Sequence, residues 1–311
     1  MLLALRALGL GDLLCGFPAL RALRDAFPEH RLVLAGPARL APLAVASGAV
    51  DAVLPAGPLQ PLPVGMAPPD VAVNLHGRGP RSHRLLLDAL PGRLLAFGVP
   101  GLVPGPAWRP GEHEVHRWCR MLAWHGVPAD PARIDLEVDA DPRYAGAVVV
   151  HPGAASPARR WPPERFAEVV RVLARAGHRV VLTGGVHERE LVHRVSDLSG
   201  AGNAAVLAGS TGVLDLARIV AGARVVVSGD TGVAHLAAAT GTPSLTLFGP
   251  VPPSEWGPPS RPRHRVVWAG RRGDPHGAIP DAGLLGIDVP RVVRELAELD
   301  VVPGVLEEVR G

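Results

Sequence analysis

Lysine is absent from the 311 residues, and all 32 basic side chains are arginine. With alanine, glycine and proline abundant as well, this is the composition of a GC-rich genome, and basicity alone is no signature of nucleic-acid binding. The net charge is only +3, the arginines are scattered, and one Tyr and five Phe leave few platforms for stacking bases, so nucleic acid is not expected as a partner. Cysteine is almost missing too. Cys15 and Cys119 stand far apart and outside any C-x-x-C spacing, which excludes a disulfide framework or zinc ribbon and fits a reducing cytoplasm. No run reaches the roughly 18 apolar residues of a membrane span. Residues 1–14 lack a basic start and a cleavage site and carry Arg6 and Asp12, so they read as a first strand entering a turn. G-x-S-x-G, H-E-x-x-H and G-x-x-x-x-G-K-[ST] are also absent. His113, His116 and Cys119 fall three apart, a spacing that spreads them around a helix, and no metal site is expected there.

What is present is an α/β chain. Hydrophobic residues make up 47% and charged residues 20%, enough for sizeable cores. Strands are expected at 1–7, 31–35, 50–54 and 71–75, with a helix over 13–26 and a Pro-rich loop over 55–69. A helical patch over 83–90, a Pro/Gly-rich loop over 91–111 and a helix over 112–125 follow. Beyond Asp139-Ala140-Asp141-Pro142 the alternation restarts, with strands at 147–151, 179–183, 205–207, 224–227 and 244–248 and helices between them. Two successive doubly wound halves, 1–143 and 144–311, are therefore expected, with the amphipathic tail 289–299 packing back across the joint.

The chemistry gathers at strand ends, where open α/β sheets place their ligands. Ser228-Gly229-Asp230-Thr231-Gly232-Val233-Ala234-His235 follows a β-branched run and enters an Ala-rich helix. Asp230 is placed to cap that helix, Gly232 admits a ligand to the backbone, and the first N–H groups form an anion site. Thr231 and His235 share one helical face, and the imidazole leans toward the turn. His151-Pro152-Gly153-Ala154-Ala155-Ser156-Pro157-Ala158-Arg159-Arg160 is a small-residue loop that suits a phosphate, with arginine to neutralise it. Gly184-Gly185-Val186-His187-Glu188 offers a carboxylate to ribose hydroxyls. In the first half, Gly9-Leu10-Gly11 fails as a dinucleotide fingerprint, because Leu14 stands at the third glycine position. Asp12 at that turn reads either as a helix N-cap or as a general base facing an interdomain cleft. Asn74-Leu75-His76-Gly77-Arg78-Gly79 reads as a substrate-facing loop.

Taken together and in order, these segments resemble glycosyltransferase family 9, the bacterial heptosyltransferase family. Pro18-Ala19-Leu20-Arg21, Arg160-Trp161-Pro162, Thr240-Gly241-Thr242-Pro243, Leu247-Phe248-Gly249-Pro250 and Glu255-Trp256-Gly257-Pro258 extend the likeness. The resemblance implies a GT-B fold, two Rossmann-like domains facing across a cleft, with acceptor on the first and nucleotide sugar on the second. It implies an inverting transfer of a heptose from ADP-heptose to an acceptor hydroxyl on a glycan, glycolipid or small molecule, with no obligatory metal or cofactor. Asp12 then matches the general base, and Gly153, Ser156, Arg159, Glu188, Thr211, Asp230, Thr231, Gly232 and His235 the donor site. Gly11, His76 and Arg78 fall to the acceptor. Arg159 stands where the family commonly has lysine, and Ala154-Ala155 where lipopolysaccharide heptosyltransferases can carry hydroxyls. A monomeric cytoplasmic enzyme in lipopolysaccharide biosynthesis is expected, with peripheral contact at the inner membrane face left open. A nucleotide-sugar epimerase and a non-catalytic nucleotide-sugar binder remain as alternatives.

Overall fold

The computed structural model describes residues 1–63 and 65–302. The chain divides into two compact units, Met1–Leu136 and Glu137–Gly311, each with its own sheet.

In the first unit the strands are β1 (Leu2–Leu5), β2 (Leu32–Gly36), β3 (Ala52–Pro55), β4 (Val71–Asn74) and β5 (Arg93–Leu95). They run parallel in the order β3-β2-β1-β4-β5. The central β1 and β4 are buried at every residue, which is why Leu2–Leu5 and Val71–Val73 are runs of apolar residues rather than alternating. The helices are α1 (Leu10–Cys15), α2 (Phe17–Ala26), α3 (Ala41–Ala46), α4 (Arg81–Leu87) and α5 (Glu114–Trp124). The single helix expected over 13–26 is thus two. Its start moves back to Leu10 because the Asp12 carboxylate accepts the Gly9 N–H at 3.1 Å. It breaks at Gly16 because Pro18, in the first turn of α2, has no N–H to continue the ladder. β5 lies inside the stretch read as loop; three residues at a sheet edge carry too little pattern to announce a strand.

The second unit holds β6 (Val148–His151), β7 (Val180–Leu182), β8 (Ala205–Val206), β9 (Val225–Gly229), β10 (Ser244–Phe248) and β11 (His264–Trp268). The order is β11-β10-β9-β6-β7-β8, again parallel throughout. The chain steps outward from β6 to β8, then returns to pair β9 on the other side of β6. That reversal creates the crevice where such sheets bind ligands. Its helices are α6 (Pro163–Arg175), α7 (Arg189–Ser199), α8 (Val213–Ala221), α9 (Gly232–Thr240), α10 (Pro253–Trp256), α11 (Ala282–Leu285) and α12 (Val289–Ala297). Trp161 is fully buried, and its Nε1–H donates to the Ile287 carbonyl at 2.9 Å, tying the loop before α6 to the C-terminal segment. The helix α12, expected to lie across the joint, buries Val289, Val292, Val293 and Leu296 in the second unit's own core and packs on α6. Leu299, at the end of that tail, packs against the same core. No helix of the described residues is long and apolar enough to cross a membrane.

Candidate functional site

In the second unit three loops leave the carboxyl ends of the adjacent strands β7, β6 and β9. Register sets Val150 beside Leu182 and His151 beside Ser228, so the loop starts lie side by side. The loop after β9 carries Asp230, which is 5% exposed. Burial pushes its carboxyl up to about 6, and the nearby Arg159 only partly offsets this. The Arg159 guanidinium stands 3.7 Å from the carboxylate (Nη1 to Oδ2), and its buried Nε–H finds no acceptor among the described residues. Thr231, not Asp230, takes the N-cap position of α9, and its hydroxyl does not cap. The Ala234 N–H turns back to the Thr231 carbonyl at 3.0 Å, which leaves the N–H groups of Gly232 and Val233 uncapped by that side chain at the head of α9. His235, one turn on, is half-buried and meets the Trp256 ring edge-on at 5.9 Å.

The loop after β7 closes on itself, with Glu188 Oε2 accepting the Gly185 N–H at 2.7 Å. The same carboxylate lies over Gly153: a Cβ there would meet Glu188 Oε1 at 2.1 Å, so this position excludes every side chain while Glu188 keeps its place. His151 is buried beside them, with Nδ1 3.0 Å from Thr183 Oγ1 and Nε2 3.7 Å from Glu188 Oε2. Burial lowers its pKa more than Glu188 raises it, so the ring is neutral. Ser156, expected to face the donor, instead donates to the Gly277 carbonyl at 3.2 Å and is buried. Ala158 N–H donates to that carbonyl too, at 3.2 Å, so the hydroxyl staples the Arg159 loop to residues 277–281. Thr211 is half-buried beyond β8, two residues past Gly209, whose N–H donates to the Gly184 carbonyl of the loop after β7 at 2.8 Å.

In the first unit, Asp12 is the third residue of α1, not its cap; Gly9 holds the cap position. Asp12 is 26% exposed, Gly11 just before it is half-buried, and Arg6 Nη2 lies 3.5 Å from Asp12 Oδ1. His76 sits beyond β4, its backbone N–H donating to Asn74 Oδ1 at 2.9 Å and its Nδ1 accepting the Ala7 N–H at 3.2 Å. Burial and then Arg6 lower its pKa, while Asp12 pulls the other way, so the net direction leaves it neutral at pH 7. Arg78 is exposed. Two residues that sequence reasoning passes over belong to this cluster. Arg6 is fully buried at the end of β1, and Glu114, at the start of α5, meets its Nη2 at 2.9 Å. A lone arginine closing the apolar run Leu2-Leu3-Ala4-Leu5 is the signal that could have found the first; nothing local marks the second.

Among the described residues no group of three or more His, Cys, Asp or Glu is arranged to hold a metal ion. The sequence model of glycosyltransferase family 9 (heptosyltransferase) matches residues 109–279, more than half the chain. Over 155 residues the chain is 34% identical to lipopolysaccharide heptosyltransferase 1 of Pseudomonas aeruginosa, covering 47% of this chain and 42% of that protein. It is 31% identical over 120 residues to lipopolysaccharide heptosyltransferase 2 of Salmonella typhimurium, 37% of this chain and 34% of that one. The chain thus spans less than half the length of these curated relatives. Among solved structures, E. coli ADP-heptose lps heptosyltransferase II superposes with TM-score 0.76 over 96% of this chain and 98% of that one, at 21% identity. E. coli heptosyltransferase WaaC with ADP gives 0.72 over 96% and 99%, also at 21% identity. These likenesses show that the fold is GT-B.

Proposed function

The chain belongs to glycosyltransferase family 9, and from that premise we propose that it transfers a heptose from ADP-heptose to a hydroxyl of a lipopolysaccharide-type acceptor, with inversion at the anomeric carbon. The observation that carries this reading is the meeting of the Arg159, Glu188 and α9 loops at the switch point of the second sheet. Arg159 and the N–H groups at Thr231 and Gly232 suit a diphosphate; Glu188 suits the ribose hydroxyls, with Gly153 keeping its carboxylate in place. Asp230 and His235 suit the sugar. The first unit supplies the acceptor site, with Gly11, His76 and Arg78 around Asp12.

In the reaction Asp12 accepts the proton of the acceptor hydroxyl as that oxygen attacks the anomeric carbon. The bond from that carbon to the diphosphate oxygen breaks on the opposite face, and ADP departs with the electron pair. Arg159 and the α9 N-terminus stabilise the charge that grows on the leaving oxygen, where preorganised donors act most strongly. No metal is called on, since a guanidinium and a helix terminus fill that electrostatic role. The setting is the inner face of the membrane, where a lipid-linked acceptor meets a soluble donor.

The test is a transfer assay with ADP-heptose and a heptose-free lipopolysaccharide core, read by mass spectrometry. The acceptor should gain one heptose residue with release of one ADP. Rearranged nucleotide sugar formed without acceptor would replace this reading with an epimerase, and a protein stabilised by no nucleoside diphosphate or nucleotide sugar would remove the donor site altogether.

A further inference from the structure

Arg6 is a full-length cation with no exposed side-chain surface, and its guanidinium reaches three separate segments. Nε–H donates to the Asp12 backbone carbonyl, Nη1–H to the Leu75 carbonyl and Nη2–H to Glu114 Oε1 at 2.9 Å. Its carbon centre lies 5.1 Å from the centroid of the Trp118 ring, which closes one face. The stem passes against the backbone at Gly16, where a Cβ would come within 3.0 Å of Arg6 Cδ. Taking a guanidinium out of water costs several kcal/mol unless such bonds return it, so a core arginine in this number of fixed contacts holds one geometry.

Glu114 is fixed as tightly. It accepts from Trp118 Nε1–H at 2.8 Å as well as from Arg6, and Arg117 Nη1–H meets its other oxygen. Burial alone would raise its pKa; Arg6, then Arg117 and Trp118, bring it below the ordinary carboxylate range, so it stays ionised. The consequence for Asp12 is geometric. Because Arg6 Nη2 is engaged by Glu114 at 2.9 Å, it stops 3.5 Å short of Asp12 Oδ1, beyond hydrogen-bond reach of that oxygen. Asp12 Oδ2 takes the Gly9 N–H. Oδ1 is left with lone pairs for an incoming hydroxyl.

We propose that Arg6 and Glu114 are positioning residues for Asp12: Arg6 anchors the Asp12 turn through its backbone, and Glu114 holds the guanidinium back so that Oδ1 remains open to the acceptor. Neither touches the reacting atoms. This rests on the transferase reading above for its kinetic arm only.

Arg6→Lys keeps the charge but cannot make the three bonds at once, and Glu114→Gln removes the counterion while keeping a side chain of the same length. Both should lower kcat about 10- to 100-fold, the scale of a misplaced catalytic group, with the KM for ADP-heptose within about twofold of wild type. In an Asp12→Asn background neither should lower the residual rate further. The Gly9 amide resonance, which reports the Asp12 Oδ2 bond, should move in both single variants. Unchanged kcat in both, an equal loss on the Asp12→Asn background, or a Gly9 resonance that stays put in both would overturn the proposal. If wild type shows no heptose transfer, the transferase reading fails, and the Gly9 resonance alone still decides the positioning claim. Should Arg6→Lys not fold, Glu114→Gln carries each arm.

Discussion

Each unit sets an aspartate at a strand-to-helix turn with an arginine beside it, and the two units bury opposite partners. In the first, Arg6 is sealed in the core while Asp12 keeps 26% exposure. In the second, Asp230 is sealed and Arg159 keeps the 26%. The buried member of each pair is the one the protein must satisfy: Arg6 has carbonyls and Glu114, whereas Asp230 has, among the described residues, a guanidinium 3.7 Å away and a raised pKa. The open member is the one that solvent reaches. On the proposed function, one turn supplies a proton acceptor and the other an anion receptor, from the same pair of residue types. Burial, rather than residue identity, divides the labour.

The contrast breaks most completely at Asp12. Asp12→Asn should lower the transfer rate by about 10³-fold, within the range of general base catalysis, and leave ADP-heptose affinity unchanged in calorimetry. Equal losses in rate and affinity would mean the first turn is not an acid-base site. Asp230 comes next, through stability. Its pKa is raised in the folded state, so the neutral form's advantage is complete below about pH 3.8 and is lost as pH rises through about 6. Asp230→Asn should thus be more stable than wild type by ~3 kcal/mol in urea melts at pH 7 and by little at pH 4. A gain that does not depend on pH would show that the carboxyl titrates normally. Arg159→Met should then weaken ADP-heptose binding about 10- to 100-fold, with Arg159→Lys intermediate, as fits one charge-assisted donor group. The smallest effect belongs to Ser156→Ala, which should cost about 1 kcal/mol of stability and leave donor affinity within about twofold; a larger loss of affinity would return the hydroxyl to the ligand.

The same asymmetry divides what the sequence makes legible from what it hides. The second unit's site is built from loops that immediately follow strands, and Gly-Asp-Thr-Gly or Gly-Gly-x-x-Glu is legible because turn chemistry is local. Asp12 is legible for that reason, though not its helical position, which depends on Gly9 starting the helix earlier. The support beneath Asp12 is hidden. Arg6 follows β1 and Glu114 opens α5, 108 residues further along the chain, and no spacing rule joins them. The Ser156 bond is hidden too: a serine in a small-residue loop looks ligand-facing, while its acceptor, the Gly277 carbonyl, belongs to a segment without regular structure. The edge strands β5 and β11 escape notice because an edge strand need not be continuously apolar.

The second sheet also constrains how the protein is made. The central strand β6 is the first of its unit to leave the ribosome, yet Val148 pairs with Val225 of β9, and the intervening β7 and β8 extend the sheet the other way. Until β9 arrives, β6 is an open edge led by three consecutive valines, the kind of surface that seeds aggregation. Long-range parallel pairing of this kind is slow to form. The Arg159 loop meets the α9 turn only when that pairing closes, so a nucleotide sugar that binds both favours forms with β9 in place over every earlier partly folded form, and supplying it during synthesis or refolding should raise the yield of native protein.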